Sequence, residues 1–313
     1  MTATWNEAAT VSLDGLRVTL SEPRPVLRRR GYCWFPSLFG FGERQLVAMM
    51  SCYADIHVTA ASAYVSRSQD GGLTWTEPVV AIDGGYDGVR LPSGDLVMLP
   101  YYLRPRAEGM YAPYNLLSAE TGLLTYNTEG VLVSGWPKPD RSYAPELGTT
   151  GFVFNGQTVE LRDGGWLMTL YGYFEDQQRL SLVCADSSDA THWRVRRVIA
   201  AGDIAFEGGD GPSEAALIRQ EDGRLLCVFR LGSTVRYGQC WSSDEGRTWT
   251  APVPMDGPFS VQPSLARLGD GMLALSGGRP GIYLWLNPAG DGRAWQPVDL
   301  MAHHTACHPG EPI

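Results

Sequence analysis

An eight-residue stretch that occurs twice constrains the fold of this chain more than any other feature. Residues 68–75 read SQDGGLTW and residues 242–249 read SSDEGRTW, so both follow the pattern S-x-D-x-G-x-T-W. Weaker copies begin at Ser118, Ser187 and Pro288, which gives five copies about 50 residues apart. The segments between them read as strands and turns, without the period of an amphipathic helix. A strand-only repeat of this length predicts a β-propeller, in which each repeat forms one four-stranded sheet.

The residue types in the repeated stretch favour a structural role. Asp70 is suited to accept backbone N–H bonds across a tight turn, Gly72 to supply a positive φ, and Thr74 to begin the next strand. We expect the rings of Trp75 and Trp249 to be buried between neighbouring sheets. A calcium site is the less favoured alternative, because one carboxylate per turn falls short of the roughly six to eight oxygen ligands that Ca²⁺ takes.

The N-terminal residues predict one more hairpin. The segment TVSLDGLRVTL at 10–20 turns at Asp14-Gly15, and no copy of the repeated stretch follows it. We expect it to complete a sixth blade together with a C-terminal strand near residues 295–300, because joining the two chain ends protects both strand edges. The prediction is an all-β fold: a single domain over residues 1–313, a six-bladed β-propeller of four-stranded antiparallel sheets.

Charge and hydropathy argue against two classes of partner. The formal net charge is −9, and the one basic run is Arg28-Arg29-Arg30. A nucleic-acid-binding protein normally shows a basic stripe, so no nucleic-acid partner is expected. No stretch approaches the roughly 20 apolar residues of a membrane helix, so no membrane partner is expected. The first residues lack the features of a signal peptide, and a cytoplasmic location is the expectation.

The six cysteines form no C-x-x-C pair, and most lie in apolar runs such as LLCVF. Free thiols are therefore favoured over disulfides. The C-terminal tail contains His303, His304, Cys307 and His308. A frayed terminus is the favoured interpretation of this tail, with a metal site as the alternative. No cofactor and no metal are expected elsewhere.

The repeated stretches resemble the Asp-boxes of the sialidase (neuraminidase) superfamily, and the resemblance covers about residues 30–300. It implies a six-bladed, sialidase-like propeller, with the Asp-boxes on the rim away from the active site. Most known members of that superfamily hydrolyse glycosides. The resemblance therefore implies an exo-acting glycosidase whose partner is a carbohydrate bound in the central cleft.

The same resemblance implies particular site residues. Sialidases hold the sugar carboxylate with three arginines, and use a Tyr–Glu pair as nucleophile and an Asp as acid/base. The segment GPSEAALIRQEDGRLLCVFR resembles the stretch that carries the Glu and the second Arg, which implies Glu214 and Arg230. The segment VQPSLARLGDGMLALSGGRPG implies Arg279 as the third arginine. YADIHV, before the first box, implies Asp55 as the catalytic aspartate, with His57 beside it.

Two positions depart from the sialidase pattern. Trp34 stands in CWFPSL where the family has its first arginine, and no tyrosine follows Trp295 where the family has its nucleophile. Tyr283 is the nearest candidate, in the wrong register. Because Trp cannot replace a bidentate Arg–carboxylate contact, turnover of sialosides is expected to be absent or very weak. Trp34 suits a neutral sugar, or a sugar acid held by two arginines, as in an arabinanase-like variant of the superfamily.

Two functions remain open from the sequence. The favoured one is a glycosidase-like enzyme, which needs two carboxyl groups flanking the bond. Glu214 is the best single candidate, although an ion pair with Arg230 would explain it equally well. Its partner is one of five carboxylates: Asp55, Glu146, Glu175, Glu207 or Asp210. The alternative function is a non-catalytic carbohydrate- or protein-binding propeller, since the fold alone does not decide activity.

Overall fold

The computed structural model describes residues 7–28, 33–52, 62–82, 85–135, 153–174, 177–204 and 209–311. These residues form strands almost throughout, and one helix follows the last strand. The predicted residues Asp55, His57, Glu146, Glu175 and Glu207 lie outside the described residues.

A hairpin and five consecutive groups of strands, here called blades 1 to 5, make up the described structure. The hairpin is β1 (Glu7–Leu13) and β2 (Leu16–Ser21). Blade 1 is β3 (Trp34–Gly40), β4 (Leu46–Ser51), β5 (Ser62–Ser68) and β6 (Val79–Ile82). Blade 2 is β7 (Gly85–Arg90), β8 (Leu96–Pro100), the short β9 (Arg104–Arg106), β10 (Gly109–Leu117) and β11 (Leu124–Ser134).

Blade 3 has an interrupted first strand and contains β12 (Val153–Phe154), β13 (Val159–Glu160), β14 (Trp166–Gly172), β15 (Ser181–Ser187) and β16 (His192–Ala200). Blade 4 is β17 (Ala215–Arg219), β18 (Leu225–Phe229), β19 (Arg236–Ser242) and β20 (Val253–Phe259). Blade 5 is β21 (Val261–Arg267), β22 (Leu273–Gly278), β23 (Ile282–Asn287) and β24 (Gln296–Asp299). Within each blade, neighbouring strands pair antiparallel. β11 of blade 2 also pairs in parallel with β16 of blade 3, which joins these two blades into one ten-stranded sheet.

The blades pack face to face, so a strand contributes to two cores at once. In β18, Leu226 and Val228 pack with residues of blade 5, whereas Leu225, Cys227 and Phe229 pack with residues of blade 3. Because both faces are buried, the strand reads as the continuous apolar run LLCVF rather than as an alternating pattern. The predicted all-β propeller is confirmed, and blades 1, 4 and 5 are separate four-stranded antiparallel sheets.

The hairpin packs on the face of blade 5 that blade 4 does not cover. Its apolar side chains, Val11, Leu13, Leu16, Val18 and Leu20, contact a cluster that includes Leu286 and Val298. The side chain of Gln296 also accepts from the backbone N–H of Asp14 (2.7 Å) and donates to the carbonyl of Asp14 (3.1 Å). The hairpin therefore takes the sixth place, next to blade 5, as a two-stranded layer.

The predicted pairing of this hairpin with residues 295–300 is wrong. Residues Gln296–Asp299 form β24, which pairs with β23 as the fourth strand of blade 5. The chain reaches β24 directly from the fifth Asp-box, so pairing with β23 closes a much shorter loop than pairing with the N-terminus.

The C-terminal tail forms a helix rather than a frayed end. Helix α1 (Leu300–Cys307) is capped by Asp299, whose carboxylate accepts the backbone N–H of Ala302 at 2.8 Å. His303 Nε2 lies 2.8 Å from the carbonyl oxygen of Ser21, so the helix contacts the hairpin. Within the described ranges no group of three or more His, Cys, Asp or Glu side chains is arranged to hold a metal ion. No helix of the described chain is long and apolar enough to cross a membrane.

The two full Asp-boxes form the predicted turns. Asp70 accepts the backbone N–H (2.9 Å) and the hydroxyl (2.7 Å) of Thr74, and Asp244 holds Thr248 in the same way at 2.8 and 2.6 Å. Gly246 has a φ of 80°, which a residue with a Cβ adopts only with strain. The prediction of a turn stabilised by the aspartate is therefore confirmed in both copies.

The last of the weaker Asp-boxes keeps part of this hydrogen bonding with altered residues. In the last copy, Asn287 replaces the serine and accepts the backbone N–H of Gly292 at 2.9 Å, while Asp291 accepts that of Arg293 at 2.9 Å. This copy therefore retains more of the pattern than the glycine and tryptophan alone.

The predicted burial of Trp75 and Trp249 is wrong, and the buried tryptophans belong to two of the weaker copies. Trp193 is 1% exposed and Trp295 is 9% exposed, but Trp75 and Trp249 are half-buried. The indole N–H of Trp75 donates to the carbonyl of Gly72 in its own turn at 3.1 Å. The ring of Trp75 lies beside its own turn and stays partly exposed.

Candidate functional site

The two ends of the blades differ, and the predicted site residues lie at one of them. We call this end the mouth: it is where the first strand of each blade begins and the second strand ends. In blade 4, Ala215 pairs with Phe229 near the mouth, and Arg219 pairs with Leu225 at the far end. Ser242, where the Asp-box begins, also pairs with Leu225. The Asp-box of this blade is therefore at the end opposite the mouth.

Glu214 and Arg230 face each other at the mouth of blade 4. The backbone N–H of Arg230 donates to the carbonyl of Glu214 at 2.9 Å, and that of Ser213 donates to the carbonyl of Arg230 at 3.0 Å. These two bonds extend the β17–β18 ladder one step beyond the assigned strands. Opposed residues of an antiparallel ladder place their side chains on the same face, so the backbone alone brings this carboxylate and guanidinium together.

The side chains form a charged cluster around Arg230. Its two terminal nitrogens donate separately: Nη1 to Glu214 Oε1 at 2.9 Å, and Nη2 to Asp210 Oδ2 at 3.3 Å and to Ser233 Oγ at 3.0 Å. The side chain of Glu214 is 8% exposed and that of Asp210 is 50% exposed. Arg230 Nε has no hydrogen-bond partner among the described residues. One cation therefore compensates a buried and a half-exposed carboxylate.

The second carboxylate oxygen of Glu214 connects blade 4 to blade 5. Oε2 accepts the backbone N–H of Gln262 at 2.8 Å. Tyr237 lies within the electrostatic reach of the same carboxylate and is completely buried. Burial raises the pKa of Tyr237 well above its usual range, and the charge of Glu214 raises it further. Its phenol therefore stays neutral and is not placed to act as an exposed nucleophile.

Amide side chains join blade 3 to blade 5 near this cluster. Asn155 Nδ2 donates to Gln262 Oε1 at 3.1 Å, and Gln262 Nε2 donates back to Asn155 Oδ1 at 3.2 Å. Gln157 donates its amide N–H to the carbonyl of Leu265 at 2.6 Å and accepts the backbone N–H of Leu265 at 2.5 Å. Both pairs link first strands of two non-consecutive blades, so hydrogen-bonding groups fill the space between them.

Asp87, on the first strand of blade 2, contributes a carboxyl group with an unusual pKa. Asp87 Oδ2 accepts the backbone N–H of Thr158 and, at 2.8 Å, its hydroxyl. The residue as a whole is only partly buried, but its carboxyl group is enclosed by neighbouring atoms. This desolvation raises the pKa of Asp87 to about 7, against the lowering effect of hydrogen bonds from Gly88 and Thr158.

Tyrosines surround the mouth at blades 2 and 3. Tyr101 follows the last residue of β8, Tyr171 pairs with Val153, and their hydroxyl oxygens are 2.5 Å apart. The rings of Tyr101 and Tyr102 stack edge to face at 4.7 Å. Aromatic rings that carry hydroxyl groups offer both an apolar face and a hydrogen-bonding edge to a ligand.

Comparison with known proteins identifies the family. The model of the BNR repeat-like domain matches residues 132–305, which is more than half of the chain. The chain belongs to the BNR repeat-like family. No curated protein matches the sequence.

Solved structures share the fold of this BNR repeat-like propeller. A mutant of the NanB sialidase from Streptococcus pneumoniae matches with a TM-score of 0.56 at 14% identity, covering 91% of this chain and 64% of that one. A Hadza microbial sialidase matches with a TM-score of 0.57 at 16% identity and the same coverage. An α-L-arabinanase from Penicillium chrysogenum, solved with arabinobiose, matches with a TM-score of 0.55 at 15% identity, covering 85% and 81%.

These identities are low, so the matches establish a sialidase-like propeller fold and not a shared activity. The chain spans about 64% of the length of the two sialidases.

The BNR repeat-like propeller brings together some of the predicted site residues. Glu214 and Arg230 are in contact, as the sequence predicts, and Asp210 is the proposed partner carboxylate that joins them. Arg279 is one residue beyond β22, at the mouth of blade 5, where it is exposed and has a φ of 65°. Trp34 begins β3 at the mouth of blade 1, opposite Ser51.

Tyr283, the nearest candidate for the missing nucleophile, lies on the third strand of blade 5. Its ring packs against Trp285 with centroids 5.2 Å apart, and it lines a groove of about 510 Å³ beside α1. The tyrosine whose pKa responds to the charge of Glu214 is Tyr237, on the third strand of blade 4.

Sequence reasoning missed the polar residues that link the blades. Asp87, Asn155, Gln157 and Gln262 occur in unremarkable strand contexts, and no spacing rule pairs them. A signal was present, since each of these polar side chains lies in or beside the first strand of a blade, where the strand packs against other blades. Such a residue needs a partner when buried, which marks it as a position to inspect.

Proposed function

We propose that this protein acts on a neutral carbohydrate at the mouth of the propeller as a glycosidase-like enzyme, with Glu214 and Asp210 as its carboxylate pair. The observation that supports this proposal is that the two carboxylates each contact one terminal nitrogen of Arg230. Two carboxylates on one guanidinium are less than about 9 Å apart, within the separations that glycosidases use.

The charge balance of the cluster favours a neutral sugar. Both terminal nitrogens of Arg230 already donate to carboxylates of the protein, so the guanidinium is not free to form a fork with a sugar acid. Two carboxylates and one guanidinium leave a negative charge, and Asp210 carries the exposed part of it. A sugar acid would meet this charge, and Trp34 replaces the arginine that would offset it. Sialosides should therefore be poor substrates.

The two carboxylates suit different roles. Asp210 is half-exposed and bound at 3.3 Å, so it can turn toward a ligand. Glu214 is buried and bound through both oxygens, so it holds Arg230 and the backbone of Gln262 in place. Tyr101 is half-buried at the mouth and offers an aromatic face for a sugar ring. Asp55, which the family resemblance implies as acid/base, lies outside the described residues and is not part of this pair.

The test combines turnover and binding with matched variants. Chromogenic pentosides, neutral hexosides and an aryl sialoside are offered to the full chain, and melting temperature is measured with the free monosaccharides. Asp210→Asn and Glu214→Gln are compared with Asp222→Asn. Asp222 is a suitable control because it forms an ion pair with Arg224 (2.7 Å) at the far end of the same β-hairpin.

We expect the wild-type chain to hydrolyse a neutral glycoside. The rate should fall at least tenfold in Asp210→Asn and in Glu214→Gln, and it should be unchanged in Asp222→Asn. Turnover of the sialoside alone would reject the neutral-sugar assignment. Equal turnover in all three variants would reject the carboxylate pair.

A non-catalytic carbohydrate-binding propeller is the second candidate. The observation that favours it is that both oxygens of Glu214 already accept bonds from the protein. Melting shifts with a neutral sugar, lost in Asp210→Asn and accompanied by no turnover of any glycoside, would support binding without catalysis.

A further inference from the structure

Two cysteines oppose each other at the mouth of blade 1. Trp34 of β3 pairs with Ser51 of β4, so Cys33 and Cys52 occupy the next opposed positions of the same antiparallel ladder. Their sulfur atoms are 4.0 Å apart, and Cys52 Sγ lies 3.9 Å from the carbonyl oxygen of Met50. Neither sulfur takes part in a disulfide in this structure.

The geometry suits a disulfide. Opposed residues in antiparallel strands have Cα atoms about 4.5–5.5 Å apart, inside the range of about 4.4–6.8 Å that disulfides span. The two sulfurs, 4.0 Å apart, are about 2 Å farther from each other than the roughly 2.05 Å of an S–S bond, so a small local movement would bring them to bonding distance. Cys33 is exposed and Cys52 half-buried, so a soluble oxidant can reach the pair.

The other cysteines offer no equivalent pair at the surface. Cys184, Cys227 and Cys240 are buried between blades, and burial raises the pKa of Cys184 to about 12 and keeps it a thiol. Cys307 is half-buried on α1, with its sulfur 3.8 Å from His303 Nε2. It serves as the matched control.

We propose that Cys33 and Cys52 are an oxidisable dithiol that closes to an intramolecular disulfide and clamps the mouth end of blade 1. The oxidant is a low-molecular-weight disulfide such as glutathione disulfide. One protein thiolate attacks it, forms a mixed disulfide and releases one glutathione. The second protein thiolate then attacks the protein sulfur of that mixed disulfide and releases the second glutathione. The protein loses two electrons and two protons, which leave as two glutathione thiols.

The bond would join the start of β3 to the end of β4. It would close a loop around the first hairpin of blade 1 and so restrict the unfolded chain. The clamp acts at the mouth but on a different blade from Glu214 and Arg230. It therefore stands independently of the proposed activity.

Peptide mapping tests the link directly. The full chain is incubated with glutathione disulfide or with reduced glutathione, blocked with an alkylating agent and digested with trypsin without reduction. Trypsin cleaves after Arg30, Arg44 and Arg67, so Cys33 and Cys52 fall in the separate peptides 31–44 and 45–67. The oxidised sample should contain these two peptides joined, two hydrogens lighter than their sum. Its melting temperature should rise by several degrees over the reduced sample.

The variants separate the proposal from general oxidation. Cys33→Ser and Cys52→Ser should each abolish both the joined peptide and the melting shift, whereas Cys307→Ser should keep both. Separate glutathione adducts on Cys33 and Cys52, or a link from either to another cysteine, would overturn the dithiol. A correct link without a melting shift would overturn the clamp.

Discussion

The carboxylate of Glu214 in blade 4 accepts the backbone N–H of Gln262 in blade 5 at 2.8 Å, while its other oxygen accepts Arg230. Gln262 has a φ of 51°, a conformation that residues with a Cβ rarely adopt. One buried side chain therefore satisfies a backbone donor of the next blade and the guanidinium of its own.

The two hydrogen-bonding roles of Glu214 predict that Glu214→Ala and Glu214→Gln lower the free energy of unfolding by different amounts. Glu214→Ala leaves a buried N–H and part of a guanidinium without an acceptor, and should cost about 3–5 kcal/mol. Glu214→Gln keeps a carbonyl oxygen as acceptor, and should cost less than half as much. Urea unfolding of both variants measures the difference. Equal losses would show that the acceptor oxygen does not hold Gln262.

The Asp-box of blade 4 should depend on the charge as well as the shape of Asp244. Asp244→Ala removes the acceptor of two bonds from Thr248 and should cost about 1–3 kcal/mol in unfolding free energy. Partial burial raises the pKa of Asp244, but the bonds from Thr248 outweigh it, and the net pKa is lowered. The charged form is therefore the stabilising one.

Because the charged form of Asp244 stabilises the turn, the stability of the protein should depend on pH in the acidic range. The stabilisation should be complete above the ordinary aspartate pKa of 3.8 and be lost as the pH falls below it. The stability advantage of wild type over Asp244→Asn should therefore shrink between about pH 4 and pH 2. Chemical denaturation across that interval measures it, and a constant advantage would contradict the charge assignment.

The tryptophans of the Asp-boxes should differ in importance. Trp193 is 1% exposed, packs against Phe154 at 5.8 Å and donates its N–H to Ala190. Trp193→Ala should cost about 3–5 kcal/mol, as for other buried aromatic side chains. Trp75→Ala should cost less than half of that, because the ring is half-buried on its own turn. Thermal and urea unfolding measure the loss of unfolding free energy in each variant. Equal losses would contradict the difference in burial between the two tryptophans.

Asp87 should make the protein less stable as the pH rises through neutrality. Its folded pKa of about 7 lies above the ordinary value of 3.8, so the folded state binds the proton more tightly than the unfolded state. The penalty is absent below about pH 4, grows between pH 4 and 7, and is complete above pH 7. Asp87→Asn removes the ionisation and should gain about 4 kcal/mol over wild type at pH 8 relative to pH 4.

An exposed carboxylate provides the control for this charge change. Asp203 is exposed, so Asp203→Asn should leave the pH profile of the unfolding free energy parallel to that of wild type. Parallel profiles for Asp87→Asn and wild type would instead show that the carboxyl of Asp87 is ionised without penalty.

The sequence by itself determined the repeating unit and the contacts within one blade. The Asp-box residues predict their own turn because donor and acceptor are four positions apart, as in Asp70 and Thr74. Glu214 and Arg230 could be placed opposite each other because a single tight turn sets their register. In each case the interaction closes a short loop, so the local sequence carries the signal.

Only the tertiary structure decided how the blades meet. Thr158 and Asp87 are 71 positions apart, and Gln157 and Leu265 are 108 apart. The same applies to the hairpin, whose apolar face covers blade 5 while residues Gln296–Asp299 pair locally with β23. Contacts between blades depend on the twist and stacking of whole sheets, and no local pattern records which polar side chains that stacking brings within hydrogen-bonding distance.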